Sequence, residues 1–308
     1  MNLRKLTSVK RTDVRFMAIG VVACGIVSAD APLSDRDSVQ ALASIGDSTA
    51  VVLAAGDIAA CTRGSWLTAR LLDKQGGDIL IAGDAAYITP TDPNPYRTCF
   101  DTTWGRHKTR IHPVPGNHDQ DPNGMRRYFE YFGASAGPQP GGYYSFDVGD
   151  WHVLALNSTI AMDSSSAQGK WVAADLAANP RQCTLVFMHH PRFSSGPHEK
   201  SPAVIAVFPV LDAAGVHVAI AAHDHIYERF APMRANGVRD DRRGIRQFVV
   251  GTGGNTLYGI RNVQPNSQIR QNSHVGILKL TLHQRGYVWE FLSGAPSSFR
   301  DRGTGTCH

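Results

Sequence analysis

The run Ile79-Leu80-Ile81-Ala82 stops at Gly83, and a carboxylate follows at Asp84 with a phenol at Tyr87. Four apolar residues before a glycine are too few for an amphipathic helix and suit a strand buried on both faces, as in a parallel sheet. The same arrangement recurs along the chain. Residues 50–55 form an apolar run ending in Gly56-Asp57, and residues 111–114 lead into Pro115-Gly116-Asn117-His118-Asp119. Residues 183–188 deliver His189-His190-Pro191, and residues 216–222 deliver His223-Asp224-His225. Taken singly, a Gly-Asp is a turn and a His-x-His is a surface pair. Together, five strand ends bearing polar groups demand an α/β sheet whose ligands bind outside the carboxyl ends of the strands.

The remaining periodicities fill in the scaffold. Helical spacing over 66–72 makes a βαβ unit with the first two strands, and it returns at 125–132, 167–178 and 204–211. Residues 143–148 and 152–156 read as paired strands, 246–250 as a further strand, and 276–282 with 287–292 as a hairpin. The Pro-, Asn- and Thr-rich stretch 88–110 reads as a long functional loop. Residues 251–255, Gly-Thr-Gly-Gly-Asn, read as a turn between strands, with an anion-binding nest as the alternative. Parallel units mixed with antiparallel pairs predict an α/β (α+β) fold of two sheets packed together and covered by helices.

The N-terminus carries Arg4, Lys5, Lys10, Arg11 and Arg15 against Asp13, followed by an uncharged apolar run over 16–29. Such a run is short for a bilayer span and fits a signal peptide, residues 1–29, followed by a polar linker, 30–48, and a domain, 49–308. Val21-Val22-Ala23-Cys24-Gly25 offers a second reading, a lipoprotein box that would anchor the protein to a membrane through Cys24. Losing residues 1–29 removes five basic groups and one acidic group, which takes the net charge from +5 to about +1. Charge therefore implies no nucleic-acid partner and no acidic membrane surface. An exported protein, secreted or extracytoplasmic, would keep Cys61, Cys99, Cys183 and Cys307, an even count that suggests two disulfides. Three connectivities are open. The expected one joins Cys61 to Cys99, and Cys183 to Cys307 to hold down the tail.

A carboxylate has two oxygens, so one placed as Asp84 is can bridge two cations ~3.5–4 Å apart while offsetting their repulsion. With its five blocks in order, the chain resembles the calcineurin-like metallophosphoesterases over roughly residues 50–295, and within them most resembles the purple acid phosphatases and related secreted bacterial enzymes. Two details carry the narrower likeness. Asp57-Ile58-Ala59 lacks the histidine that many relatives place two residues after the aspartate, and Tyr87 stands where that branch uses a phenolate, a hard donor suited to Fe³⁺. Ala222-His223-Asp224-His225-Ile226-Tyr227-Glu228-Arg229 is similar to the branch's last block, with Ala222 in place of glycine.

The resemblance implies a four-layer αββα sandwich and two metal ions, Fe³⁺ with Fe²⁺, Zn²⁺ or Mn²⁺. Asp57, Tyr87 and His225 would hold the first metal, Asn117, His189 and His223 the second, and Asp84 would bridge them. It implies an exported phosphomonoesterase of small phosphorylated molecules that works through a metal-bound hydroxide. His118 would be the acid that protonates the leaving group, and His198 a second phosphate-facing histidine. His190 is read as a neighbour of the site, and Arg106 and Arg192 as surface groups able at most to clamp a phosphate. The alternatives are a phosphodiesterase or nucleotide hydrolase on the same site, or a non-catalytic exported metal-binding protein. Oligomeric state is left open.

Overall fold

The computed structural model describes residues 45–308, apart from positions 90, 93, 123 and 199. The expected leader, its Cys24 and linker residues 30–44 lie outside the described residues. In chain order the elements are β1 (Ser48–Ala55), α1 (Arg63–Leu72), β2 (Asp78–Ala82), β3 (Ile111–Val114), α2 (Arg126–Phe132), β4 (Tyr144–Val148) and β5 (Trp151–Ala155). Then come α3 (Ala167–Ala178), β6 (Cys183–Phe187), α4 (Pro202–Ala213), β7 (Val218–Ala221), β8 (Tyr227–Phe230) and β9 (Arg246–Val250). Strands β10 (Ser267–Gln271), β11 (Gly276–His283), β12 (Gly286–Ser293) and β13 (Arg302–Thr306) complete the fold.

Two mixed sheets result, one of six strands ordered β13-β12-β11-β1-β2-β3 and one of seven ordered β10-β8-β9-β7-β6-β5-β4. β1, β2 and β3 are parallel, as are β5, β6, β7 and β9. Their near-continuous apolar runs are sorted by the two-residue period of a strand. Val153, Leu185, Phe187 and Ile220 enter the core shared with Leu80, Leu278 and Leu280 of the other sheet. Leu154, Val186 and Ala219 turn the opposite way, to a second core under the helices. Helix α4 meets that core with Val204, Val207, Phe208 and Leu211, the spacing of one helix face. Two sheets packed together and covered by helices are what the pattern predicted, and the αββα layering is what the resemblance implied.

Most expected elements fall within a residue or two of their observed bounds. The stretch 88–110 does not form the long functional loop read from its composition. It folds into a π-helical turn, Tyr96–Phe100, and a 3₁₀ helix, Trp104–Arg110, with Trp104 fully buried and its indole donating to Thr68 Oγ1 at 2.9 Å. Arg106 is spent on a two-pronged pair with Asp73, at 2.9 and 2.7 Å, so it is no phosphate clamp. Cys61–Cys99 and Cys183–Cys307 are bonded as expected. No helix among the described residues is long and apolar enough to cross a membrane.

Candidate metal centre

Parallel strands place their carboxyl ends along one edge, and here the edges of both sheets meet. Gly56-Asp57 follows β1, Gly83-Asp84 follows β2, Asn117 follows β3, His189 follows β6 and His223 follows β7. Each aspartate leaves its strand through a left-handed residue, with φ of +59° at Asp57 and +50° at Asp84, and His223 does the same at +67°. Side chains other than glycine rarely adopt this region, and such positions persist where the surroundings enforce them. Here the enforcement is visible. Asp57 N donates to Gly83 O, Ile58 N to Asp84 O and His223 N to Asp57 Oδ2, so the turns brace one another. Gly83 (φ +80°) is required as well, since a Cβ there would lie 2.5 Å from His189 Nδ1.

The expected ligands come together in two groups around Asp84. In the first, Tyr87 Oη lies 3.2 Å from both Asp57 Oδ1 and His225 Nε2, and His225 Nε2 lies 3.3 Å from Asp57 Oδ1. In the second, His189 Nε2 lies 2.9 Å from Asn117 Oδ1, 3.1 Å from His223 Nδ1 and 3.4 Å from Asp84 Oδ2. Donor atoms of Asp57, Asp84 and His189 fall within 4.8 Å of one another. His189 and His225 are oriented from behind by carbonyls, Ala82 O at 2.9 Å and Thr256 O at 2.6 Å. That is how metal-binding imidazoles are held, with the far nitrogen committed and the near one presenting its lone pair.

Asp57 and Asp84 are buried, and neither takes an ion pair from a Lys or Arg among the described residues. On the protein's own charges, burial and the neighbouring carboxylates Asp57 and Asp119 push the Asp84 acid well above its ordinary range. Burial and the carboxylates of Asp57 and Asp84 hold the Tyr87 phenol far above its usual value. Burial drives His189 well down, and burial with His189 and His190 pushes His223 down to about 2, so both imidazoles are unprotonated. Buried carboxylates with no Lys or Arg partner, beside the lone-pair nitrogens of His189 and His223, form a donor set that fits cations.

His118 and His198 stand at the mouth. The His118 ring packs 4.5 Å from Tyr87, and its backbone N–H donates to Asp84 Oδ1 at 2.8 Å. His198 lies 4.2 Å from the His223 ring, and its Nδ1 is 2.7 Å from the buried carboxylate of Asp224. Arg192 turns away, donating to Ala235 O at 2.9 Å. Residues 251–255 form no nest, because Gly253 N donates to Gly56 O and Asn255 N to Asp57 O.

Asp224, read from its block as a supporting or packing residue, supports His198. Sequence reasoning missed two contributors. Tyr258, which follows no strand end, stacks on His225 at 3.8 Å. Asp119 accepts from Gly116 N at 2.8 Å and Tyr96 Oη at 2.6 Å, pinning the loop that carries Asn117. Only Asp119 had a signal, its place inside the Gly-Asn-His-Asp block.

Comparison with known proteins agrees with this geometry. The family model for calcineurin-like phosphoesterase matches residues 47–227. Purple acid phosphatase 18 of Arabidopsis thaliana is 34% identical over 119 residues, 37% of this chain and 27% of that protein. Purple acid phosphatase 21 of the same plant is 34% identical over 173 residues, 52% of this chain and 39% of that protein. The chain thus matches well under half the length of these curated relatives. Among solved structures, the purple acid phosphatase PPD1 from yellow lupin (Lupinus luteus) seeds superposes with a TM-score of 0.70 at 17% identity, over 84% of this chain and 54% of that one. With strand order, polar strand ends and a family match over more than half of the chain in accord, this chain belongs to the calcineurin-like phosphoesterases.

Proposed function

We propose that the protein is an exported, dinuclear-metal phosphomonoesterase. The observation that carries this reading is the pair of donor groups sharing buried Asp84 at the mouth of a cleft. Asp57, Tyr87 and His225 would hold one cation, Asn117, His189 and His223 the other, with Asp84 between them. The phenol of Tyr87 favours Fe³⁺ in the first position, with Fe²⁺, Zn²⁺ or Mn²⁺ in the second. When bound, such a pair would supply Lewis-acid polarisation of the phosphoryl oxygens and make an attacking water more acidic. As the water oxygen bonds to phosphorus and the P–O ester bond breaks, His118, beside Tyr87 at the rim, would give its proton to the departing alkoxide. Asp224 accepts from His198 Nδ1–H and fixes the ring, so that the imidazolium form would present Nε2–H to the phosphate. Two disulfides support passage through an oxidising compartment.

A second reading, a phosphodiesterase, draws support from two cavities that meet at His198. One, of ≈ 1040 Å³, is lined by Asn117, His190, Met162 and Ala206, and the other, of ≈ 500 Å³, by Arg261 and Gln264. Each could take one arm of a diester. Assays of nitrophenyl phosphate, its bis-nitrophenyl diester and ATP, with elemental analysis alongside, separate these readings from a non-catalytic metal-binding protein. The monoester is expected to be the preferred substrate, and no turnover of any ester by metal-loaded protein would overturn the enzymatic reading.

A further inference from the structure

His190 follows His189, and its fixed position comes from another part of the chain. The Ser158 hydroxyl, itself buried, lies 2.9 Å from the His190 backbone N and 2.9 Å from His190 Nδ1. The backbone N–H occupies one lone pair of Oγ, and the buried hydroxyl hydrogen has no other acceptor among the described residues, so it is assigned to Nδ1. A neutral imidazole whose Nδ1 accepts carries its own hydrogen on Nε2. Ser158 is held in turn by a reciprocal amide pair, in which Asn157 N donates to Gln168 Oε1 at 2.8 Å and Gln168 Nε2 to Asn157 O at 2.9 Å.

The His190 ring lies 4.4 Å from that of His223 and 5.0 Å from that of His189. It lines the inner end of the larger cleft with Asn117, His198 and His223. Donor atoms of His189, His190 and His223 fall within 4.8 Å of one another, so a ligand role for His190 must also be weighed. Against it, the second donor group already has Asn117, His189, His223 and Asp84. The Ser158 bond also gives the remaining His190 nitrogen a hydrogen where a ligand needs a lone pair.

We propose that His190, positioned by Ser158, is a substrate-binding residue that donates Nε2–H to a phosphoryl oxygen of the substrate and of the phosphate product, from outside the metal coordination. The role rests on the phosphoesterase reading above. Its test is calorimetric titration of metal-loaded protein with inorganic phosphate, with elemental analysis of each variant. Loss of a hydrogen bond to a charged oxygen predicts that His190→Ala weakens phosphate binding ~10-fold and raises KM, with metal content unchanged. His190→Gln, which keeps a donor of similar reach, should recover most of the affinity. Ser158→Ala, which removes none of the proposed metal donors, should weaken binding ~3-fold by releasing the ring. Unchanged phosphate affinity in His190→Ala overturns the donor role, and loss of a metal in that variant replaces it with a ligand role. A wild-type protein that binds phosphate and hydrolyses esters in either case leaves the phosphoesterase reading intact. One that holds no metal and hydrolyses no ester overturns that reading, and the role with it.

Discussion

Tyr87 and His118, in ring contact at the rim, divide two tasks between them. With Fe³⁺ in the first position, the Tyr87 phenolate is the chromophore that the resembling family uses, so Tyr87→Phe should abolish the visible charge-transfer band. An active protein holding zinc or manganese and no iron would contradict the iron assignment while leaving hydrolysis standing. For His118, burial lowers the pKa below its ordinary 6.5, and nearby cations would push it the same way. The proton-donating form is therefore lost as pH rises through a value under 6.5. A pH profile of kcat/KM for an ester with a poor leaving group should fall on that limb. His118→Ala should slow such esters ~100-fold or more, spare good leaving groups and keep the metals. Equal slowing of both would remove His118 from the acid role. At this scale the strand-end residues were legible, because Gly-Asp, Gly-Asn-His and His-x-His sit where a sheet edge exposes them. Ser158 and Tyr258 were not. Their roles depend on partners 32 and 33 positions away in the chain, and local spacing carries no trace of such contacts.

Among the elements, the parallel strands do most to set the chemistry, since they end abruptly in residues forced left-handed. Gly83 and Gly124 both have positive φ, +80° and +83°, but only Gly83 has a neighbour where a Cβ would go. Gly83→Ala should therefore cost about 1–3 kcal/mol in thermal stability and displace His189, with loss of metal. Gly124→Ala should pay the backbone term alone and keep its metals, and equal metal content in the two variants would contradict the packing argument. Strands such as Asp78–Ala82 were readable because a doubly buried strand must be apolar throughout. Residues 88–110 misled because their Pro and Thr content masked tertiary burial of Trp104 and Tyr96. The Gly-Thr-Gly-Thr of β13 gave no strand signal, since it lies at a sheet edge and pairs only with β12.

In the whole molecule, two cross-links tie segments that the sheets alone leave long. Cys61–Cys99 spans 38 positions and Cys183–Cys307 spans 124. Loop-closure entropy assigns these about 4 and about 5 kcal/mol. Cys183→Ser should lower the unfolding midpoint by several degrees and free the tail to limited proteolysis, without changing metal content. A loss of metal on that substitution would show the tail to be coupled to the site. The proposed role of buried Asp84 is to join two cation sites where the edges of the two sheets meet. Elemental analysis of purified wild-type protein beside Asp84→Ala is the deciding measurement. Two metal ions per wild-type chain, and fewer than one in the variant, is the predicted result. A wild-type chain with one ion or none, or a variant that retains both, would contradict it.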